Sequence, residues 1–249
     1  MGMQAASLAA TVIVTPGSSL WSNPAGENSG GGSSVITATM PDAGNGSLEM
    51  TGDRTRFVGL GNFYSINSNL GLLDTVRALT YDWAIAPGSQ ATLHPDYTPA
   101  LRLHIFDGAQ RSELIWEGAY NSIYGNTSKG QFYTSGVNDN FYRNVTGSGV
   151  SLSNGSQVNQ SIANWVAGTT WYSDAAYVSA ISVGVGSSAG GLYRAFADNI
   201  TLDINGASTT YNFEATAAAV PEPATVALVG LGLLGFAASR RKLIKNKNA

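Results

Sequence analysis

The sequence predicts an all-β protein: an antiparallel β-sandwich over residues 11–214, followed by one short apolar helix at the C-terminus. Three observations carry this expectation. Apolar residues recur at every second position in short runs, and Gly-rich or Asn-Gly stretches punctuate those runs. A charge-free segment, residues 225–239, is then closed by a cluster of basic residues.

The strand runs follow one another along the body. Leu79, Tyr81, Trp83 and Ile85 alternate with Thr80, Asp82 and Ala84, so one face of that strand is apolar and Trp83 is expected in the core. Leu101, Leu103 and Ile105 alternate with Arg102 and His104. Tyr177, Ser179, Ile181, Val183 and Val185 are expected to share one face of a long strand, and Ile200, Leu202 and Ile204 line another. Asn205-Gly206, set between Ile204 and Ala207, reads as the turn of a closing hairpin. Gly30-Gly31-Gly32, Asn45-Gly46, Asn154-Gly155 and Gly190-Gly191 mark other turns. The only helical stretch in the body is a turn or two near residues 161–166. Many short strands and almost no helix indicate two packed sheets. Residues 215–220 read as a small-residue linker.

Composition narrows the class. The 249 residues are long enough for one large all-β domain or two small ones. Charged residues make up only 12% of the chain, against roughly 25% in an average globular protein. Ser, Thr and Asn supply the polarity, which suits an extracellular β-protein better than a cytosolic enzyme. Cysteine is absent, which excludes disulfides and thiolate-bound metals and leaves the redox compartment open. The net charge of −3 is unevenly spread. Five of the thirteen basic residues, Arg240, Arg241, Lys242, Lys245 and Lys247, fall in the last ten positions; the remaining eight face all sixteen acidic residues, a net of −8. An acidic body argues against a nucleic-acid partner, because phosphates demand basic surface.

Catalytic signatures are scarce. His94 and His104 are the only histidines; neither has metal-ligand spacing, and both are expected at the surface. No G-x-S-x-G elbow or P-loop occurs. Glu113 and Glu117 share one face of a strand but stand about 13 Å apart along it. That is too far for the carboxylate pair of glycoside hydrolysis, which works at about 5–10 Å. The protein is therefore expected to be no enzyme. For sugar binding, Trp171, Tyr172 and Asp174 form the best local group of an aromatic platform beside a carboxylate, with Trp116 and Tyr142 as weaker platforms. Asp198 and Asn199 are oxygen donors that fit a structural Ca²⁺; no other cofactor is expected. The N-x-[ST] sequons at Asn126, Asn144 and Asn199 reflect composition in an Asn-, Ser- and Thr-rich chain.

The C-terminus is the most informative stretch. As a helix, residues 225–239 would span about 22 Å, short of the roughly 30 Å hydrocarbon thickness of a bilayer. Pro221 and Pro223 stop any helix entering from the body. Arg240 and Arg241 follow at once, in the place where the positive-inside rule keeps a tail in the cytoplasm. The order Pro221-Glu222-Pro223, Gly/Leu-rich apolar helix, Arg240-Arg241 resembles the PEP-CTERM sorting signal of bacterial surface proteins in Gram-negative, exopolysaccharide-producing species. The resemblance covers residues 221–249. It implies recognition by an exosortase-type membrane protease, cleavage near the Pro-Glu-Pro, and transient membrane anchoring through the apolar helix. It assigns the sorting role to Pro221, Glu222, Pro223, Arg240 and Arg241. Gly230, Gly232 and Gly235 would allow close helix approach in the membrane.

An exported protein needs an export signal, and residues 1–10 contain only the semblance of its end. Ala5-Ala6-Ser7-Leu8-Ala9-Ala10 has the small residues of a cleavage site but no basic n-region before it. The expectation is a start lying further upstream, with residues 1–10 a residual signal-peptide end or disordered; a trimmed chain or a non-exported paralogue is the alternative. Residues 177–214, with Ala197-Asp198-Asn199-Ile200-Thr201-Leu202 near their end, are similar to the last strands of lectin-like jelly rolls. That similarity raises extracellular polysaccharide as a partner. Together these features predict a non-catalytic protein sorted to the cell surface or exopolysaccharide matrix, with a carbohydrate-binding module as the alternative.

Overall fold

The computed structural model describes residues 8–146 and 158–216. These belong to one unit, residues 1–217, separate from residues 218–249. The described residues form two seven-stranded sheets packed face to face, with almost no helix.

Sheet A contains β1 (Leu8–Val14), β3 (Ser33–Thr37), β4 (Ser47–Thr51), β7 (Ala78–Ile85), β10 (Phe132–Thr134), β13 (Arg194–Ile204) and β14 (Ala207–Phe213). Sheet B contains β2 (Trp21–Ser22), β5 (Phe57–Gly59), β6 (Gly71–Leu72), β8 (Ala100–Asp107), β9 (Gln110–Trp116), β11 (Tyr142–Thr146) and β12 (Tyr177–Gly184). The long strand β13 organises sheet A. Along one edge it pairs with β7; along the other it pairs first with β4 and then with β14. The exchange of partners falls at a bulge between Asp198 and Thr201, where Asn199 takes a positive φ of 47°. A short helix, α1 (Ile162–Trp165), fills the place where the sequence predicts a helical turn.

Period-two patterning places the core. Leu79, Tyr81, Trp83 and Ile85 from β7 meet Leu101, Leu103 and Ile105 from β8 and Leu114 and Trp116 from β9, all buried. Trp116 is the meeting point: Tyr81 approaches its ring edge-on at 5.2 Å and Trp83 tilts against it at 5.9 Å. At the other end, Trp21 stacks on Phe57 at 5.7 Å and meets Phe213 edge-on at 5.1 Å. Each buried aromatic of this kind contributes on the order of 1.5–3 kcal/mol through lost apolar surface. The Asn205-Gly206 turn joins β13 to β14 with both residues at positive φ, 55° and 74°, the combination a two-residue type I′ hairpin requires.

Three features differ from the sequence expectation. All but one of the strand pairs are antiparallel; β1 joins the edge of β14 in parallel, from Leu8 opposite Ala207 to Val14 opposite Phe213. First and last strands share no short connection, so nothing obliges them to run oppositely. Second, Leu8, Ala9 and Ala10, expected in a leader, are the start of that strand, because backbone pairing needs no side-chain pattern. Third, β12 carries a bulge between Val178 and Ala180. The bulge reverses the alternation. Val178, Ile181 and Val183 face the core, and Tyr177 instead stacks on Phe106 on the other side of sheet B, at 5.9 Å.

Candidate functional site

The outer face of sheet B, away from the partner sheet, is not a solvent surface. Arg102 and His104 on β8, Glu113 on β9, and Ser182 and Ala180 on β12 all point that way and all are buried. His104 and Glu113 sit directly opposite each other in the ladder. The loop after β5 folds back over them: Phe63 stacks on the His104 imidazole at 4.7 Å, with Val58 and Ala180 beside it. Guanidiniums of Arg56 and Arg111 lie 5.5 and 5.4 Å from the Phe63 ring centre. His104 is thus fully buried, a correction to the expected surface histidine. A solvent-facing alternation and an alternation facing a second covering layer look the same in sequence.

Under this cover runs an ionic network. Arg56 donates to the Glu113 carboxylate at 2.9 Å, Arg102 Nε stands 3.9 Å from its other oxygen, and His104 Nδ1 is 3.4 Å away. The second ring nitrogen of His104 meets the Ser182 hydroxyl at 2.8 Å. Glu27 extends the network, taking Arg54 at 3.1 Å, Arg56 at 3.6 Å and the hydroxyl of Tyr64. Burial opposes ionisation of Glu113, but His104 and the two guanidiniums hold its carboxyl well below the ordinary range. Burial pushes the His104 imidazole down, toward its neutral form.

Beside the network opens a cleft of about 360 Å³, with Arg102, Glu113 and Glu117 on its lining and Tyr97, Tyr120 and Tyr142 as aromatic walls. Glu117 accepts a 2.8 Å hydrogen bond from the Tyr142 hydroxyl, and Tyr120 packs edge-on against Tyr142 at 5.0 Å. Burial raises the Glu117 carboxyl, against the opposing pull of Tyr142 and Arg102. Burial likewise pushes Tyr97 up to about 12 and raises Tyr142, so both phenols stay protonated. Glu113 and Glu117 therefore have carboxyls displaced in opposite directions. Planar guanidinium donors and carboxylate acceptors can bond the hydroxyls of a sugar, and the half-buried Tyr120 ring, backed by the buried Tyr142, can stack on its apolar face. Among the described residues, no group of three or more His, Cys, Asp or Glu is placed to hold a metal ion.

The residues singled out in sequence are scattered. Trp171 is half-buried, edge-on to Trp165 of α1 at 5.1 Å. Tyr172 is buried, its hydroxyl 3.1 Å from Ser112 and its ring covered by the Arg143 guanidinium at 4.6 Å, so it cannot serve as an open platform. Asp174 is exposed. Trp116 points into the core, where its indole donates to Asp139 at 2.8 Å. His94 stacks on Tyr124 at 4.1 Å. Asp198 is buried at the β13 bulge, where one carboxylate oxygen accepts the amides of Asn199 and Phe213, each at 2.8 Å. The Asn199 side chain bridges Asp82 at 2.9 Å and Asp42 at 3.2 Å. Burial lifts Asp198 to about 7, and burial with the neighbouring Asp82 lifts Asp42 to about 6. Of the residues weighed in sequence, Tyr142, Glu113 and Glu117 do meet in the cleft. Arg56, Arg102, Tyr97 and Tyr120 were missed. The one available signal was a pair of charge-bearing residues, Arg102 and His104, inside an otherwise apolar strand.

Residues 219–242 match the family model described as the PEP-CTERM protein-sorting motif. The chain carries a PEP-CTERM signal. The match takes in Pro221, Glu222, Pro223, Arg240 and Arg241 and implies an exported protein, sorted by way of the membrane and processed by an exosortase. The apolar segment 225–239 and the rest of the motif lie outside the described residues. Among the described residues, no helix is long and apolar enough to cross a membrane. No curated protein matches the chain.

Proposed function

We propose that this PEP-CTERM protein is a non-catalytic component of the cell surface or exopolysaccharide matrix, and that its sandwich holds extracellular polysaccharide in the cleft on sheet B. The observation that carries the binding role is the convergence of Arg102, Glu113, Glu117 and three tyrosines on one cavity of a chain that bears a surface-sorting signal. A binding role fits better than hydrolysis. Glu113 is held by Arg56 and Glu117 takes the Tyr142 hydroxyl, so both carboxyls are already engaged and neither stands free as the acid or base of a glycosidase pair.

Two experiments test the two halves. A glycan array probed with the full chain should show retention that Tyr142→Ala reduces at least about tenfold, through loss of the ring that supports Tyr120 and of the hydroxyl that positions Glu117. Retention unchanged in Tyr142→Ala would remove the cleft from the reading. Mass spectrometry of native surface material tests the sorting half. Cleavage after Pro223 removes five cations and no carboxylate, taking the net charge from −3 to −8. Glu222→Ala should leave the apolar run and its basic stop intact but block processing. A surface form still ending in Lys247-Asn248-Ala249 would mean a permanent anchor.

A further inference from the structure

We infer that the cleft on sheet B is selective for acidic sugars, and that Arg102 is the residue that takes the ligand's carboxylate. The inference rests on the binding role proposed above and deepens it.

A guanidinium carries five N–H donors and stays charged at any physiological pH. Arg56 directs its donors at Glu113 and Glu27, and Arg54 is engaged by Glu27. Arg102 is different. Its side chain is only 4% exposed, yet its nearest carboxylate oxygen is 3.9 Å away and its hydrogen bond to the Ala100 carbonyl is long, at 3.4 Å. Its Nε is buried without a hydrogen-bond partner. A buried cation this poorly satisfied is costly unless an acceptor is supplied.

The surrounding charges leave room for an anion. Three guanidiniums, Arg54, Arg56 and Arg102, face Glu27 and Glu113, both held in their ionised form. Glu117 is occupied by the Tyr142 hydroxyl and pushed toward its neutral form by burial. Of the three guanidiniums Arg102 is the least well matched, with its nearest carboxylate oxygen at 3.9 Å and its Nε without a hydrogen bond, and it lines the cleft. A hexuronate ring supplies what this arrangement lacks: a planar carboxylate that matches the guanidinium fork, beside hydroxyls for Asn144 and a ring face for Tyr120. A neutral sugar would meet Arg102 only through hydroxyls, with weaker bonds.

The probes are a trisaccharide of galacturonic acid, its methyl ester, which is uncharged but has nearly the same shape, and the neutral trisaccharide of galactose. Titration calorimetry on the full chain should use a detergent without a sugar headgroup. The acid should bind at least about tenfold more tightly than the ester, the ratio expected when a charged hydrogen bond replaces a neutral one. Arg102→Gln should bring acid and ester together. Arg102→Lys, keeping charge but losing the fork, should retain part of the preference. The acid–ester comparison uses the unaltered protein, so it stands even where Arg102→Gln disturbs folding. Equal binding of acid and ester, or an acid preference that survives in a folded Arg102→Gln protein, overturns the inference while leaving saccharide binding intact. If none of the three trisaccharides binds, the binding role falls and the inference falls with it.

Discussion

The two sheets share one interior but treat their outer faces very differently. On sheet A many outward positions are short and half-exposed, apart from the buried Asp198, a patch where Phe196 is covered by Met40 and Phe132, and the Arg194–Glu49 ion pair at 2.7 Å. Thr201 and Thr210 join hydroxyls at 2.7 Å, and Thr134 bonds Asp82 at 2.5 Å. On sheet B the matching positions carry Arg102, His104, Glu113 and Ser182, all nearly sealed from water. Both faces show the same alternation of apolar and polar residues. What separates them is a third layer: the loop bearing Phe63, laid over sheet B. Alternation therefore reports which face is not the central core, and leaves open whether the other face meets water. Large charged or aromatic outward residues demand a cover or a partner, whereas Thr and Ser do not.

If the outer face of sheet B is a second interior, damage there should match damage to the first. Trp83→Ala, in the central core against Trp116 and Tyr133, should cost about 3–5 kcal/mol in denaturant unfolding. Glu113→Ala should cost about as much, 3–5 kcal/mol, because it leaves Arg56 and Arg102 buried without their carboxylate. A loss below about 1 kcal/mol would return that face to the status of an ordinary surface.

Acid and base should also act on the two faces in opposite senses. Glu113 is depressed in the folded protein, so its contribution is present above its ordinary value of 4.5 and is lost as pH falls toward the folded value. Asp198, on sheet A, is raised from 3.8 to about 7, so the stability it brings is complete at low pH and disappears as pH rises through 7. Asp198→Asn keeps the acceptor for Asn199 and Phe213 and removes the ionisation. It should flatten the decline in melting temperature between pH 5 and 8, an effect of about 2–4 kcal/mol. An unaltered pH profile would show that Asp198 ionises freely. The smallest effect belongs to Thr201→Val, which removes one half-exposed hydroxyl pair and should cost under about 1 kcal/mol.

Much of the sandwich was legible because burial imposes period two. The β7 and β8 runs and the Asn205-Gly206 hairpin follow from local rules alone. The misplacements come from long-range causes. A bulge in β12 turned Tyr177 outward, and the pairing of β1 with β14 spans almost the whole body. The cleft was less legible still. Glu113 lies on β9 and Glu117 just past its end, but Arg56, Tyr97 and Tyr142 reach them from β5's approach, a loop and β11. Only the ladder registers bring those segments together. Trp171 and Tyr172 looked like a platform because adjacency in sequence was the only proximity available, and the fold spent Tyr172 on packing. The C-terminal signal is the reverse case: its meaning is contained in one continuous stretch, so no folding was needed to read it.

The parallel zipping of β1 to β14 has a mechanical consequence. Tension applied between the N-terminal end of β1 and the C-terminal end of β14 pulls two parallel neighbours in opposite directions along their own axes. The ladder from Leu8 opposite Ala207 to Val14 opposite Phe213 is then loaded in shear, all its rungs together, instead of being peeled open one rung at a time. Val12 and Val14, packed against the core beside Tyr211 and Phe213, would have to slide past it before any strand parted. A body held at both of these ends and drawn apart would resist as a clasp does, abruptly and late.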